Sequence, residues 1–399
     1  MKEVFFMCKK RMYPCLRGKS LLSLLLTFSV LFSALFVSAV PVSALSAEEI
    51  TAPSAILIEP TTKKILFEKN SHEVRPCASI TKVMTLILVF EAIEEGKIDY
   101  DDVVTASAHA ASMGGSDIWL EEGETMTVHE MIKAVVVASA NDAAVALAEF
   151  ICGTEDEFVS RMNERASELG MNETVFKNCN GLDEEGHVTS SYDVAMMSAE
   201  LIKHEKIFEY SSIWIDYLRG GETQIVNTNK LLKTYSGITG LKTGTTGQAG
   251  SCMSATAERE GLSLVAVVLG CDTGTSRFSD AATLLDYGFA NYRVEKLTLP
   301  QDCLKPIPVK GGMQSEVSVA CTPSENILLP KVTSSSVESE FTVTEELTAP
   351  VEVGEVVGKL TYTFDGATVD EFPIVTSTAS EAMSFGSVYA LLWKKLFSL

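Results

Sequence analysis

The chain has 399 residues, room for about two or three domains with sizeable cores, and its 46% hydrophobic content is that of a globular protein. Acidic residues outnumber basic ones 53 to 32, and a net charge of −21 excludes nucleic acid as a partner held through phosphate contacts. Nine cysteines form no Cys-x-x-Cys pair, so a metal site is not expected, and no cofactor is expected either.

The first 44 residues stand apart from any fold. Lys2, Lys9, Lys10, Arg11, Arg17 and Lys19 form a basic stretch, and Leu21 to Val40 is apolar apart from Ser and Thr. Small-residue exits follow at Val37-Ser38-Ala39, Val42-Ser43-Ala44 and Leu45-Ser46-Ala47. This predicts a secretory signal peptide over residues 1–44; the alternative is an uncleaved anchor, since about 20 apolar residues could span a bilayer. Removing six basic residues and one acidic residue leaves the mature part at −26. Cys8 and Cys15 leave with the signal, and the seven remaining cysteines are an odd number, so at least one thiol stays unpaired within the chain.

Ala55–Ile58 and Lys64–Phe67 read as two strands joined by a turn at Pro60-Thr61-Thr62. Ser79-Ile80-Thr81-Lys82 opens an apolar helical run through Phe90. Residues 102–127 read as irregular. Helices are predicted over Val128–Ser139, Asp142–Cys152, Glu155–Leu169, which stops at Gly170, and Ser191–His204. A hairpin follows over Ser251–Glu258 and Leu262–Gly270, then a helix over Ser276–Ala290. Strands flanking a helical middle give an α+β domain over residues 45–291. Residues 292–375 carry short strand-like runs at 317–319, 341–344, 351–353 and 360–364, the pattern of a small β-sandwich. Thr376–Ser380 reads as the start of a linker within residues 376–399. In the tail, Phe385, Val388, Tyr389, Leu392 and Leu396 share one helical face, widened by Trp393 and Phe397. Such a helix suits a membrane interface; docking on its own β domain is the alternative.

Ser79-Ile80-Thr81-Lys82 is the only Ser-x-x-Lys in the chain. A serine and a lysine one helical turn apart lie on one face within hydrogen-bonding reach. The helix N-terminus favours negative charge on the serine oxygen, and a desolvated lysine can take its proton. Alone the motif is weak. Ser139-Ala140-Asn141 ends an apolar helix and offers a hydroxyl and an amide at a turn. Lys242-Thr243-Gly244 offers a cation, a hydroxyl and a glycine that lets a bound peptide's backbone come close. A second Ser-x-Asn, Ser324-Glu325-Asn326, reads as a turn in the β region.

Taken in order, Ser-x-x-Lys, Ser-x-Asn and Lys-Thr-Gly resemble the signature of penicillin-recognising serine enzymes. Within them the chain resembles the low-molecular-mass penicillin-binding proteins that are serine D-alanyl-D-alanine carboxypeptidases, peptidase family S11. The likeness includes residues 76–82, 138–143, 180–183, 240–244 and 276–278 and extends to the β domain and the tail. It implies a serine β-lactamase/transpeptidase-like α+β domain followed by a small all-β domain. It implies that Ser79 attacks the penultimate D-Ala carbonyl of a peptidoglycan pentapeptide, or a β-lactam. Lys82 then takes the serine proton, Ser139 passes a proton to the departing D-Ala, Asn141 orients Lys82 and the substrate amide, and Lys242 supplies positive potential. Thr243 and Arg277 would hold the terminal carboxylate beside Gly244, and the N–H groups of Ser79 and Thr245 would form the oxyanion hole. It also implies an exported protein at the outer face of the cytoplasmic membrane or in the cell wall, attached peripherally through residues 381–399.

Some relatives carry His where Thr245 stands, and Cys77 beside the nucleophile is unusual; it is expected to be a small buried apolar residue, whose oxidation would make activity oxidant-sensitive. His109, His129 and His187 are expected at surface or turn positions. Two other readings share features with this one. A class A β-lactamase carries the three motifs but lacks the β domain and tail. A surface protein that binds muropeptide or antibiotic without turnover would need a broken site.

Overall fold

A computed structural model describes residues 45–324, 326–331 and 336–397. The signal-peptide prediction and Glu325 lie outside the described residues. In chain order the first domain contains β1 (Ser54–Glu59), β2 (Lys64–Lys69), α1 (Lys82–Glu94), β3 (Val103–Thr105), α2 (Ala108–Ala111), β4 (Thr125–Thr127), α3 (Val128–Lys133), α4 (Asn141–Cys152), α5 (Glu155–Glu168) and α6 (Ser191–Leu201). It continues with α7 (Ile207–Ser211), β5 (Ile215–Leu218), β6 (Thr223–Val226), α8 (Leu231–Thr234), β7 (Ile238–Thr246), β8 (Gly250–Arg259), β9 (Leu262–Cys271) and α9 (Gly274–Asn291).

The central antiparallel sheet has the order β2-β1-β9-β8-β7. Strand alternation divides its side chains between two cores. Ile56, Ile58, Val265, Val267 and Leu269 face the helical lobe, which holds α1, α4 and α6. Ala55, Leu57, Leu264, Ala266 and Val268 face the other way, toward Ala281, Leu284, Leu285 and Phe289 of α9. Both faces are covered, so β9 reads as a continuous apolar run rather than an alternating one. α9 lies tight on the sheet at Gly288, where a Cβ would come within 2.5 Å of Leu264.

The long elements match the predicted ones to within a few residues. Three differences have local causes. Residues 102–127 are not wholly irregular: β3 pairs antiparallel with β4. The α3 helix widens into a π turn at Ala134–Ala138 before Ser139, whose φ is +61°. The β5–β6 hairpin was not predicted, although Arg219-Gly220-Gly221 between two short strand-like runs is a turn signal.

The second domain follows α9 without a break through β10 (Tyr292–Lys296). It adds β11 (Ile307–Lys310), β12 (Glu316–Val317), β13 (Val319–Ala320), β14 (Asn326–Pro330), β15 (Glu338–Val343), β16 (Leu347–Thr348), β17 (Val356–Phe364) and β18 (Ala367–Thr376). Its largest sheet has the order β13-β18-β17-β15. Tyr362, Leu360, Val317, Leu329 and Ile374 lie in its separate core. The expected strand at 351–353 is absent. Val351 makes one isolated bridge to Ser380, Pro350 offers no N–H to a ladder, and Val353 is 64% exposed. Nor is Thr376–Ser380 a free linker. Thr376 ends β18, Ser377 N donates to Ser318 O and Ser380 N donates to Val351 O, so these residues are stitched into the β domain. The terminal helix α10 (Phe385–Phe397) comes after that seam.

One buried carboxylate ties α9 to the segment that leads into β1. Asp280 accepts from Ala52 N at 2.7 Å and from Thr51 Oγ1 at 2.8 Å. Asp280→Ala strands a buried N–H and is expected to cost about 1–3 kcal/mol. Urea unfolding of the variant checks this; an unchanged midpoint would contradict the role given to Asp280.

Candidate active site

Ser79, the candidate nucleophile, sits on a strained turn. Residues 78–81 form a single 3-10 turn that runs into α1, and Ala78 takes φ +50°, a region that a residue with a Cβ rarely enters. The turn is held between two glycines. A Cβ on Gly181 would lie 2.1 Å from Ala78 O, and one on Gly244 would lie 2.7 Å from Cys77 O and 3.0 Å from Ser79 N. Gly244 is thus required by β7's approach to the chain's own nucleophile turn, not only by a bound peptide.

Lys82 is wholly buried. Its Nζ lies 3.0 Å from Ser79 Oγ, 2.5 Å from Asn141 Oδ1 and 2.6 Å from Asn180 O. Asn141 is oriented by its other end, since its Nδ2 donates to Gly114 O at 2.6 Å and leaves Oδ1 for the lysine. Burial brings the Lys82 pKa down to about 7, against smaller opposing effects of Cys179, Asp142 and Cys77. A neutral amine has two N–H donors and one lone pair. Asn141 Oδ1 and Asn180 O can only accept, so they take both donors, and the lone pair is left facing Ser79 Oγ–H.

Ser139 and Lys242 form the second half of the site. The π turn ends at Ser139 in a left-handed conformation, a local widening that recurs at functional positions. Lys242 Nζ donates to Ser139 Oγ at 2.8 Å and to Thr243 O at 2.9 Å. Burial holds the Lys242 pKa well below the usual lysine range, and nearby Lys82 and Arg277 push the same way. Thr243 Oγ1 donates to Thr228 Oγ1 at 2.6 Å. Arg277, in the first turn of α9, donates from Nη1 to Thr245 Oγ1 at 2.7 Å and to Gly244 O at 2.9 Å. The buried Arg277 Nε has no partner among the described residues.

The structure therefore brings every site residue expected from the sequence together, around the 78–81 turn, the start of α4, β7 and the first turn of α9. Three participants were not expected. Asn180 acts through its backbone carbonyl, which no side-chain motif reveals. Thr228 reaches Thr243 from the segment between β6 and α8. His187, expected at the surface or in a turn, ends a turn through its N–H to Glu184 O but is buried, with its Nε2 2.7 Å from Thr81 Oγ1. Its partner is internal to the Ser-x-x-Lys motif, and nothing in the local pattern around residue 187 signals that contact. By contrast, His109 is exposed beside Glu155, and His129 meets Tyr210. Cys77 is buried as expected, and burial pushes its thiol up to about 12, so it is no thiolate nucleophile. No group of His, Cys, Asp or Glu among the described residues could hold a metal ion.

Residues 41–273 match the family described as D-alanyl-D-alanine carboxypeptidase, and residues 294–382 match the penicillin-binding protein 5 C-terminal domain. The D-alanyl-D-alanine carboxypeptidase DacF of Bacillus subtilis is 42% identical over 338 residues, covering 84% of this chain and 87% of that protein. The D-alanyl-D-alanine carboxypeptidase DacC of Escherichia coli is 31% identical, covering 88% of this chain and 89% of its own. Among solved structures, penicillin binding protein 5 of Haemophilus influenzae superposes with a TM-score of 0.74 at 29% identity, over 84% of this chain and 99% of its own. Penicillin-binding protein D2 of Listeria monocytogenes, in its ampicillin-bound form, superposes with a TM-score of 0.56 at 32% identity, over 60% of this chain and 98% of its own. The fold, the extent of these matches and the assembled site agree, and the chain belongs to the D-alanyl-D-alanine carboxypeptidase family.

Proposed function

We propose that this chain removes the terminal D-Ala from peptidoglycan pentapeptide stems through an ester on Ser79, and that β-lactams acylate the same oxygen. The observation that carries this reading is the Lys82 amine, whose two donors are occupied and whose lone pair faces Ser79 Oγ.

In the proposed reaction Ser79 Oγ attacks the carbonyl carbon of the penultimate D-Ala, and its proton passes to Lys82 Nζ. The developing oxyanion is bound by the N–H groups of Ser79 and Thr245; one such donor contributes about 3–4 kcal/mol. Collapse breaks the C–N bond, and the departing amine receives a proton from Ser139, which Lys242 resupplies. Lys82 then hands the proton it took from Ser79 on to replace the one Lys242 gave up, which makes it the free base again; water attacks the ester carbonyl and gives its proton to Lys82. The acyl–oxygen bond breaks and Ser79 recovers its hydrogen. Thr243 and Arg277 hold the terminal carboxylate, which two neighbouring cations favour.

We further propose export by the basic-apolar leader and peripheral attachment through α10. Support comes from an uncovered aromatic ladder. Phe385 and Tyr389 have ring centroids 6.2 Å apart, Tyr389 and Trp393 5.9 Å, and Trp393 and Phe397 5.0 Å. Phe385 is 90% exposed, and Leu396 and Phe397 are exposed too, which disfavours docking on the β domain. No helix among the described residues is long and apolar enough to cross a membrane, so an interfacial position suits this one.

Three outcomes are expected. Ser79→Ala abolishes D-Ala release from diacetyl-Lys-D-Ala-D-Ala by about 10³-fold or more and abolishes covalent penicillin labelling; a variant that still releases D-Ala would rule out Ser79 as nucleophile. Because Lys82 must be the free base, the rate of penicillin acylation should fall about tenfold per pH unit below about pH 7 and level off above it. A rate flat from pH 5 to 9 would exclude Lys82 as the base. Deleting residues 384–399 leaves the β-domain seam intact and should shift the protein from membrane to soluble fraction; continued retention would remove α10 as the anchor.

A further inference from the structure

A buried line of hydrogen bonds outside the proposed proton relay ends on the nucleophile's own backbone. Lys177 N–H donates to His187 Nδ1 at 3.1 Å. An amide N–H can only donate, so Nδ1 is the bare ring nitrogen. Burial drives the His187 pKa down to about 4, with Glu184 and Asp183 pulling it up and Lys177 pulling it down, so the ring is neutral at pH 7. A neutral ring with a bare Nδ1 carries its proton on Nε2. That atom lies 2.7 Å from Thr81 Oγ1, which must therefore accept. Thr81 then spends its own proton on Ala78 O, 2.9 Å away. Every link points the same way, from the 177–187 segment to the carbonyl of Ala78.

Ala78 is where direction matters. Its C=O and the N–H of Ser79 belong to one peptide plane, and the bond between them is trans. In a trans peptide the two groups point in opposite directions. Holding Ala78 O on the Thr81 side therefore aims Ser79 N–H to the other side. The φ of +50° at Ala78 is a conformation the chain does not adopt without support. Gly181, in the same segment as His187, closes on that carbonyl so tightly that no side chain fits.

We infer that His187 is a positioning residue, acting through Thr81 and the Ala78 carbonyl to aim the Ser79 N–H that binds the oxyanion. The inference rests on the proposed acylation of Ser79. It differs from a packing role in that the imidazole's proton location, not its bulk, sets the geometry.

The test measures benzylpenicillin acylation of the purified protein and of His187→Phe, His187→Gln and Thr81→Val. Losing a whole oxyanion donor slows chemistry about 10²- to 10³-fold, so misaiming one should lower the maximal acylation rate about 10- to 100-fold. The half-saturating penicillin concentration should stay within about twofold, since the donor acts on charge that develops in the transition state. His187→Gln, whose amide can still donate to Thr81, should recover most of the rate. His187→Phe combined with Thr81→Val should be no slower than either alone, because the two act as one unit. Nitrogen-15 shifts of His187 in the unmodified protein should show a protonated Nε2 and a bare Nδ1.

A protonated Nδ1, or wild-type acylation by His187→Phe, would overturn the inference. Should His187→Phe not fold, Thr81→Val and the tautomer decide. If the unmodified protein neither releases D-Ala nor is acylated, the functional reading fails, while the tautomer still decides the hydrogen-bond line.

Discussion

The site depends on removing one lysine from water. An ammonium buried without a carboxylate partner is costly, and the fold answers by lowering its affinity for the proton rather than by pairing its charge. Lys82 meets three oxygens, from Ser79, Asn141 and Asn180, and none is a carboxylate. Asp142, the acidic residue nearest in sequence to this cluster, is turned away and spends its oxygens on Ile118 N and Leu120 N. An Asp in contact with Lys82 would restore the proton and remove the base. The amide at 141 therefore matters by being neutral as much as by its hydrogen bond.

The same constraint explains the strain around it. To bring Ser79 Oγ to the lysine's free lone pair, the turn must leave helical geometry at Ala78 before α1 begins. A turn of that kind is not stable alone, and the surrounding structure holds it in place. Strand β7 approaches from one side through Gly244, the 178–187 segment approaches from another through Gly181, and Thr81 grips it from within the motif. The α+β scaffold supplies these walls from positions far apart in sequence, so the nucleophile's geometry is a property of the whole domain.

What could be read from the sequence follows from this division. Ser79, Lys82, Ser139, Asn141 and Lys242 are legible because each contributes a side chain in a fixed local spacing. The long helices and the β8–β9 hairpin are legible because burial of one or both faces writes a period into the residues. Asn180 was invisible in its true role because the contact is made by a carbonyl, and every residue has one. His187 was expected at the surface or in a turn; it does end a turn, its N–H donating to Glu184 O, but it is buried there by tertiary packing against Thr81 and Phe176, which the Gly- and Glu-rich stretch around it does not signal. The 351–353 run failed as a strand for a similar reason, since two valines satisfy a composition rule while Pro350 and an exposed Val353 deny the ladder and the core that a strand needs.

The second lysine is arranged on a different principle from the first. Lys242 is depressed by burial and then by its neighbours Lys82 and Arg277, with no anion beside it among the described residues. In the proposed reaction the missing anion is the substrate's own terminal carboxylate. Its arrival next to Arg277 and Thr243 offsets the repulsion and raises the proton affinity of Lys242 at the moment the departing amine needs a proton through Ser139. A substrate without that carboxylate would bind to a site whose acid is poorly protonated, and would lose rate as well as affinity. Recognition of the C-terminus and protonation of the leaving group are then one electrostatic event, so interactions with a non-reacting part of the substrate favour the chemical step. This also accounts for two lysines and an arginine gathered at one site in a chain whose overall charge is −21: they are partly or wholly buried where a single carboxylate can shift their protonation.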